Sequence, residues 1–210
     1  NYEEQIAEYP KGGTEKVFGD ILKKARASKN DTLAYRIMMG LDNIGKPVKF
    51  DKMFNDDDLK KASVRTLVWI GKTNEKYGPE HARKAFAEGI GRDEYEYAID
   101  ILFAHAALEE RQKAWDSVLK LYTRITDEYP SDTRAAKAMI LKGDALAKLG
   151  KRDQAVKCYE LVLRSPIWRG EAHAEALYKL GRISQSSGKA DDALMYYDRC
   201  YLGFSNCYNW

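Results

Sequence analysis

The chain has 210 residues, enough for one elongated domain or two small globular domains. Hydrophobic residues make up 44% of it and charged residues 32%, and the net charge is +3. Because acidic and basic residues are mixed along the chain, the clustered basic surface of a nucleic-acid-binding protein is not expected. No apolar run reaches the roughly 18 residues of a membrane-spanning helix, so no membrane span is predicted.

Apolar residues recur at the three- and four-residue spacing of amphipathic helices, and no useful segment alternates with period two. Examples in chain order are Leu33, Ile37 and Leu41, then Ala98, Leu102 and Ala106, then Val118, Leu121, Tyr122 and Ile125. Glycine, proline and small polar residues divide the pattern into about eleven helices with short connections. The sequence therefore predicts an all-α fold in which successive helices are antiparallel neighbours.

One connection, residues 45–58, is too long for a simple hairpin turn. We interpret it as a structural insertion in which Asp56, Asp57 and Asp58 cap the N-terminus of the next helix. A functional arm over the surface is the alternative.

Similar segments recur at a regular distance along the chain. Residues 2–10 (YEEQIAEYP) resemble residues 122–130 (YTRITDEYP), 120 positions later, which leaves room for three helical hairpins of about 40 residues each. Farther along, Pro130 and Pro166 are 36 positions apart, and Gly143 and Gly181 are 38 apart. This period predicts a solenoid of helix pairs.

Each of the last two repeats places a glycine inside a predicted helix, at a cost of about 1 kcal/mol relative to alanine. We expect Gly143 and Ala155 to lie where two helices of a pair cross closely, and Tyr159 to fill the space between this pair and the next. The same arrangement recurs as Gly181, Ala193 and Tyr197.

A second glycine in each repeat has a different predicted role. Gly150 and Gly188 should end the first helix in the left-handed conformation. Asp153 and Asp191 then fall near the next helix N-terminus, where a carboxylate is favoured.

These residues resemble the tetratricopeptide repeat, whose pattern includes Leu-Gly on the first helix, Ala-x-x-x-Phe on the second and a closing Pro. The matching residues are Leu177, Leu180, Gly181, Ala193 and Tyr197, and before them Met139, Gly143, Leu146, Ala155, Tyr159 and Pro166. The resemblance is strong over residues 131–202, fair over 93–130 and weak over 14–92. It implies a right-handed superhelical solenoid of antiparallel helix pairs, with a degenerate helical-repeat region at 1–92 and tetratricopeptide-like repeats at 93–210. A differently packed helical segment is the alternative for the early hairpins. The "EYP" endings are similar to those of bacterial envelope-associated members.

The resemblance also implies a protein-interaction scaffold that binds a protein or peptide segment on its concave face. The first-helix residues expected to line this face are Lys137, Ile140, Asp144, Ala147, Glu175, Tyr178, Lys179, Arg182 and Gln185. Asp144 and Arg182 stand where the chaperone-binding subclass has the asparagines of its carboxylate clamp, which argues against chaperone-tail recognition. We expect a polar or charged partner with an aromatic anchor at Tyr178. A merely solvated inner face is the alternative.

No residue pattern indicates catalysis, a cofactor or a metal site. The three histidines, His81, His105 and His173, fall in different predicted hairpins and in no metal-binding motif. The three cysteines, Cys158, Cys200 and Cys207, form no CxxC pair, and a Cys200–Cys207 disulfide stays open. Two other functions stay open as well: a helical accessory domain of an enzyme, such as one acting on the cell wall, with its catalytic part outside this chain, or an RNA-binding repeat.

The last ten residues carry Phe204, Tyr208 and Trp210 with no polar capping helix after them. Solenoids need a polar outer face on the terminal repeat. We therefore expect the natural protein to continue into another helix, or this end to pack on another chain, including by self-association.

Overall fold

The computed structural model describes residues 14–28, 30, 33–34, 37, 56–74, 79–92 and 95–204. Within these residues all regular structure is helical, so the predicted all-α class is confirmed. A short 3₁₀ turn, Pro166–Trp168, accompanies the α-helices. The α-helices are α1 (Thr14–Ala27), α2 (Asp56–Lys61), α3 (Val64–Asn74), α4 (Pro79–Ile90), α5 (Tyr95–Arg111), α6 (Trp115–Glu128), α7 (Arg134–Lys148), α8 (Arg152–Arg164), α9 (Glu171–Ser186) and α10 (Ala190–Phe204).

The chain divides into two compact units, Asn1–His105 and Ala106–Trp210, with the boundary inside α5. The predicted division at residue 92 concerns repeat type rather than compactness, and it stays a prediction. Of the long connection at 45–58, residues 45–55 lie outside the described part. The aspartates at 56–58 form the first turn of α2, and their predicted role in capping its N-terminus stays a prediction.

The first unit has a core built mainly from α1 and the α3–α4 hairpin, which includes the buried side chains Phe18, Leu22, Ile37, Leu67, Ile70 and Ala85. Gly71 on α3 faces the ring of Phe86 on α4 so closely that a Cβ at position 71 would overlap the ring. Fully buried Ala82 lies one helical turn before Phe86. This hairpin therefore combines glycine, alanine and an aromatic ring as the later repeats do.

A single arginine closes the end of α2. The Arg92 guanidinium donates hydrogen bonds to the carbonyls of Leu59 (2.7 Å), Lys60 (2.6 Å) and Ala62. It also pairs with Glu88 at 3.0 Å. Because the last carbonyls of a helix have no partners within the helix, Arg92 supplies partners that α2 itself lacks.

The second unit contains successive antiparallel helices joined by short turns. Helix α6 packs on α7, α7 on α8, α8 on α9 and α9 on α10, and α7 also touches α9 directly. One core cluster lies between α7, α8 and α9 and includes Leu146, Tyr159, Val162 and Leu180. The alternation of first helices (α7, α9) and second helices (α8, α10) is the arrangement expected of stacked helical hairpins.

Three helices end in the same hydrogen-bonded turn. Gly150 and Gly188 have φ of 75° and 74°, as predicted, and Lys113 occupies the equivalent place after α5 with φ of 58°. At each, the next residue's N–H reaches five residues back: Ala114 to Glu109 (2.9 Å), Lys151 to Leu146 (2.9 Å) and Lys189 to Ser184 (3.0 Å). This is the Schellman pattern. It recurs every 37 or 38 residues, so the turns mark the repeat independently of the side chains.

The glycines inside the first helices lie against tyrosine rings. A Cβ placed on Gly143 would lie 2.6 Å from Cε1 of Tyr159, and one on Gly181 would lie 2.5 Å from Cε1 of Tyr197. The expectation of close helix contact at the glycines is confirmed. The position of Tyr159 differs from the expectation, because its ring covers Gly143 within its own hairpin rather than only filling the space to the next one. The Tyr159 ring can lie there because Gly143 has no Cβ.

Helix α10 exposes several large apolar side chains: Leu194, Met195, Tyr201 and Leu202. Phe204 is half-buried, whereas Tyr208 and Trp210 lie outside the described residues. That another helix or another chain covers this end stays a prediction.

We predict that Gly143→Ala destabilises the protein by about 1–3 kcal/mol, because the new methyl group overlaps the Tyr159 ring. This loss should outweigh the gain of about 1 kcal/mol in helix propensity. Gly203→Ala is the control, since nothing lies within 4 Å of a Cβ at that helical glycine. Urea unfolding of both variants measures the effect. Equal stabilisation by both substitutions would refute the close contact.

We predict that Lys113→Gly raises the free energy of unfolding by about 0.5–1 kcal/mol, because the left-handed conformation is strained for lysine and not for glycine. The reciprocal change, Gly150→Lys, should lower it by about 1 kcal/mol. Thermal and urea unfolding of the two variants test the pair. If Lys113→Gly instead lowered the free energy of unfolding, strain from the positive φ of Lys113 would not be a significant cost in the folded protein.

Candidate functional site

The residues predicted to line the binding face lie on α7 and α9, the two first helices that touch each other. Ile140 has none of its surface exposed and belongs to the core between the helices. Ala147 is half-buried. Each of the other seven keeps some accessible surface. Whether they bind a partner stays a prediction, but Ile140 is no part of an accessible surface.

Four of the charged residues form one network across the two helices. Lys137 on α7 pairs with Glu175 on α9 at 2.9 Å, and Lys179 on α9 pairs with Asp144 on α7 at 2.7 Å. Lys179 also lies 4.0 Å from Glu175. Exposed ion pairs contribute only about 0–1 kcal/mol each. Their main effect here is to connect α7 to α9 at two points and so fix which residues face each other.

A buried tyrosine is hydrogen-bonded to one carboxylate of this network. Tyr159 on α8 donates a hydrogen bond from its hydroxyl to Asp144 at 2.7 Å. Burial, and then the hydrogen bond and charge of Asp144, raise the pKa of the Tyr159 phenol above its ordinary value. The hydroxyl therefore remains protonated and keeps donating to Asp144. The Asp144 carboxylate on α7 is therefore bonded to two other helices, through Tyr159 on α8 and Lys179 on α9.

The corresponding tyrosine of the next repeat also contacts its first helix. Tyr197 on α10 donates to the side-chain oxygen of Gln185 at 3.0 Å. Its ring lies 6.1 Å from the ring of Tyr178, and the Arg182 guanidinium lies 6.0 Å from the Tyr178 ring. Tyr178 is 36% exposed. A tyrosine with a guanidinium beside its ring therefore stands on the accessible face of α9.

An open cavity of about 490 Å³ adjoins the charged network. Its charged lining residues are Asp144, Lys148, Arg152, Lys179 and Arg182, and Ala147, Tyr159, Ile183 and Ser186 form the rest of its wall. Lys148 and Arg152 were missed by the sequence analysis, which counted only family positions on the first helices. The signal was present as the basic residues on both sides of Gly150 (KLGKR).

The histidines and cysteines have structural contacts. Buried His173 shares a hydrogen bond of 2.8 Å between Nδ1 and the carbonyl of Trp168, and His105 stacks on Phe86 with ring centroids 5.5 Å apart. Cys158 and Cys200 are buried free thiols, and burial raises the pKa of Cys158. Cys207 lies outside the described residues. Among those that the structure describes, no three His, Cys, Asp or Glu side chains gather where they could hold a metal ion.

No described helix is both long and apolar enough to span a membrane.

Comparison with known proteins identifies the repeat. The family model for the tetratricopeptide repeat matches residues 136–165 and 174–202. No curated protein sequence matches the chain. One crystal structure of MamA protein has a TM-score of 0.56 at 19% identity, covering 90% of this chain and 91% of that one. Another crystal structure of MamA has a TM-score of 0.57 at 16% identity, covering 86% and 92%.

At these identities the structural likeness shows the fold alone. The two matched segments coincide with the α7–α8 and α9–α10 hairpins. They also contain the Gly143–Tyr159 and Gly181–Tyr197 contacts. The chain therefore carries tetratricopeptide repeats at residues 136–165 and 174–202, and it has the all-α helical-repeat fold of tetratricopeptide proteins.

Proposed function

We propose that this protein is a non-catalytic scaffold that binds a segment of a partner protein on the face formed by α7 and α9. Tetratricopeptide repeats support a protein-interaction role in general. The particular face is supported by one observation: Tyr178 and Arg182 lie together on accessible surface beside a fixed network of charges.

The side chains around this face are in part already ordered. Asp144, Lys179, Glu175 and Lys137 hold one another, so these side chains lose less conformational entropy when a partner docks beside them than mobile side chains would. Tyrosine and arginine are enriched among residues that contribute most to binding. Arg182 forms no ion pair within the described chain and is available to a partner.

The expected contacts have an internal geometry that a partner must fit. Tyr178 and Arg182 are one helical turn apart on α9 and so lie on one side of that helix, and Arg182 also lines the cavity. The ring of Tyr197 supports Tyr178 from α10. We propose that Tyr178 packs on an apolar or aromatic group of the partner while Arg182 bonds to a polar one.

The combined variant Tyr178→Ala with Arg182→Glu should weaken partner binding by about 2 kcal/mol or more while the helices stay intact. Exchange of Lys157 and Glu160 on α8 is the matched control, since both lie away from this face. Affinity is measured by titration against a partner recovered with the wild-type protein, with circular dichroism as the folding check.

A photocrosslinking residue locates the face directly. Placed at position 178, it should capture the partner, whereas the same residue at position 161 should not, because Leu161 is exposed on the second helix α8. Capture from position 161 and not from 178, together with unchanged affinity of the Tyr178/Arg182 variant, would place the partner elsewhere and overturn the proposal.

A further inference from the structure

We propose that the partner segment is acidic and that its side-chain carboxylates enter the cavity beside Lys148, Arg152 and Arg182. This inference rests on the proposed function, because it assigns a partner chemistry to the same face. It starts from the balance of charge among the residues that line the cavity of about 490 Å³.

The cavity has one carboxylate in its lining, and that carboxylate is already occupied. Asp144 accepts one hydrogen bond from Tyr159 and one from Lys179, both at 2.7 Å. Lys179 is occupied as well, because it lies between Asp144 and Glu175. Within the network the negative charges of Asp144 and Glu175 are balanced by Lys179 and Lys137.

Three lining cations remain outside this balance. Neither Lys148, Arg152 nor Arg182 pairs with a carboxylate in the part of the chain that the structure describes. The only partners of Lys148 and Arg182 there are aromatic rings, those of Trp115 at 4.6 Å and Tyr178 at 6.0 Å. The three exposed side chains come from three different helices, α7, α8 and α9, and meet at one cavity.

Uncompensated cations at a concave wall attract an anionic ligand, and guanidinium groups bind carboxylates through paired, charge-assisted hydrogen bonds. Besides the three cations, the cavity is lined by Ala147, Ile183 and the Tyr159 ring. The methylene groups of a glutamate side chain can pack against these apolar groups. The charges therefore favour a segment with several glutamates or aspartates.

A protein segment fits this distribution better than a nucleic acid does. Single-stranded nucleic acid follows an extended positively charged groove. Here the three cations form one compact cluster, and on α7 and α9 the face continues into the neutralised Lys137–Glu175 pair. The net charge of the chain is only +3.

The probe is an acetylated, amidated hexaglutamate peptide with a fluorescent label, so that only side-chain carboxylates carry its charge. Fluorescence anisotropy should detect its binding to the wild-type chain, and binding should weaken from about 50 to about 300 mM NaCl as the charges are screened. A labelled hexaglutamine peptide should bind at least about tenfold more weakly, because it lacks the charge.

The test variant changes Lys148, Arg152 and Arg182 to glutamine together, and affinity for hexaglutamate should fall about 30-fold or more. The control changes Lys151, Lys157 and Lys189 to glutamine. These three lysines are exposed and do not line the cavity of about 490 Å³. Because the control alters the net charge equally, its affinity should change less than about threefold. Circular dichroism checks that both variants fold.

The inference would be overturned if hexaglutamate did not bind at a protein concentration of about 1 mM, or if both triple variants lost the same affinity for it. Tighter binding of a dodecauridylate than of hexaglutamate would overturn it as well. If any of these occurs while crosslinking from position 178 still captures a partner, the proposed docking face is kept and only the proposal of an acidic partner is rejected. Failure of that crosslinking as well would remove the proposed function.

Discussion

The contact between a glycine on a first helix and a tyrosine ring on the second is the constraint on which the second unit depends. Because Gly143 has no Cβ, the Tyr159 ring can lie directly over the backbone of α7. In that position its hydroxyl reaches Asp144 at 2.7 Å, and Asp144 in turn holds Lys179 of the next first helix. A packing contact within one hairpin thus sets the charges that connect it to the following hairpin.

In three hairpins a tyrosine hydroxyl of the second helix bonds to a side chain of the first helix, although α5 has alanine (Ala106) where the later first helices have Gly143 and Gly181. Tyr122, Tyr159 and Tyr197 donate to Glu110, Asp144 and Gln185, respectively. Where the acceptor is Asp144, a lysine from α9 joins it. Where the acceptor is neutral Gln185, the described chain adds no cation to it. The tyrosine is therefore kept while its acceptor changes in both charge and position, being 12 residues before Tyr122 and Tyr197 but 15 residues before Tyr159.

The sequence predicted the architecture of the last two repeats because the residues that carry it are unusual in a helix. Gly143 and Gly181 lower helix stability relative to alanine, so their presence indicates a close contact that needs a residue without a Cβ. Gly150 and Gly188 are suited to positive φ at a helix end. The equivalent hairpin of the first unit was harder to find. Gly71 and Phe86 are 15 positions apart, whereas Gly143 and Tyr159 are 16 apart, and this shift of one residue hides the shared pattern.

The candidate site was less predictable than the fold, because periodicity gives the face of a helix but not the depth of burial or the partner of a charge. Ile140 falls at a family position for the inner face, yet it is fully buried. Lys148 and Arg152 border a turn, so a count of first-helix positions omits them. The pairing of Asp144 with Lys179 spans two repeats, and no local spacing indicates it.

A double-mutant cycle on Gly181 and Tyr197 tests the central contact most directly. Gly181→Ala should destabilise the wild-type protein by about 1–3 kcal/mol, because its methyl group overlaps the Tyr197 ring. In the Tyr197→Ala background the ring is absent, so the same substitution should stabilise the protein by up to about 1 kcal/mol through helix propensity. The two free energies of unfolding come from urea titration, and the account predicts a change of sign. An equal cost of Gly181→Ala in both backgrounds would contradict it.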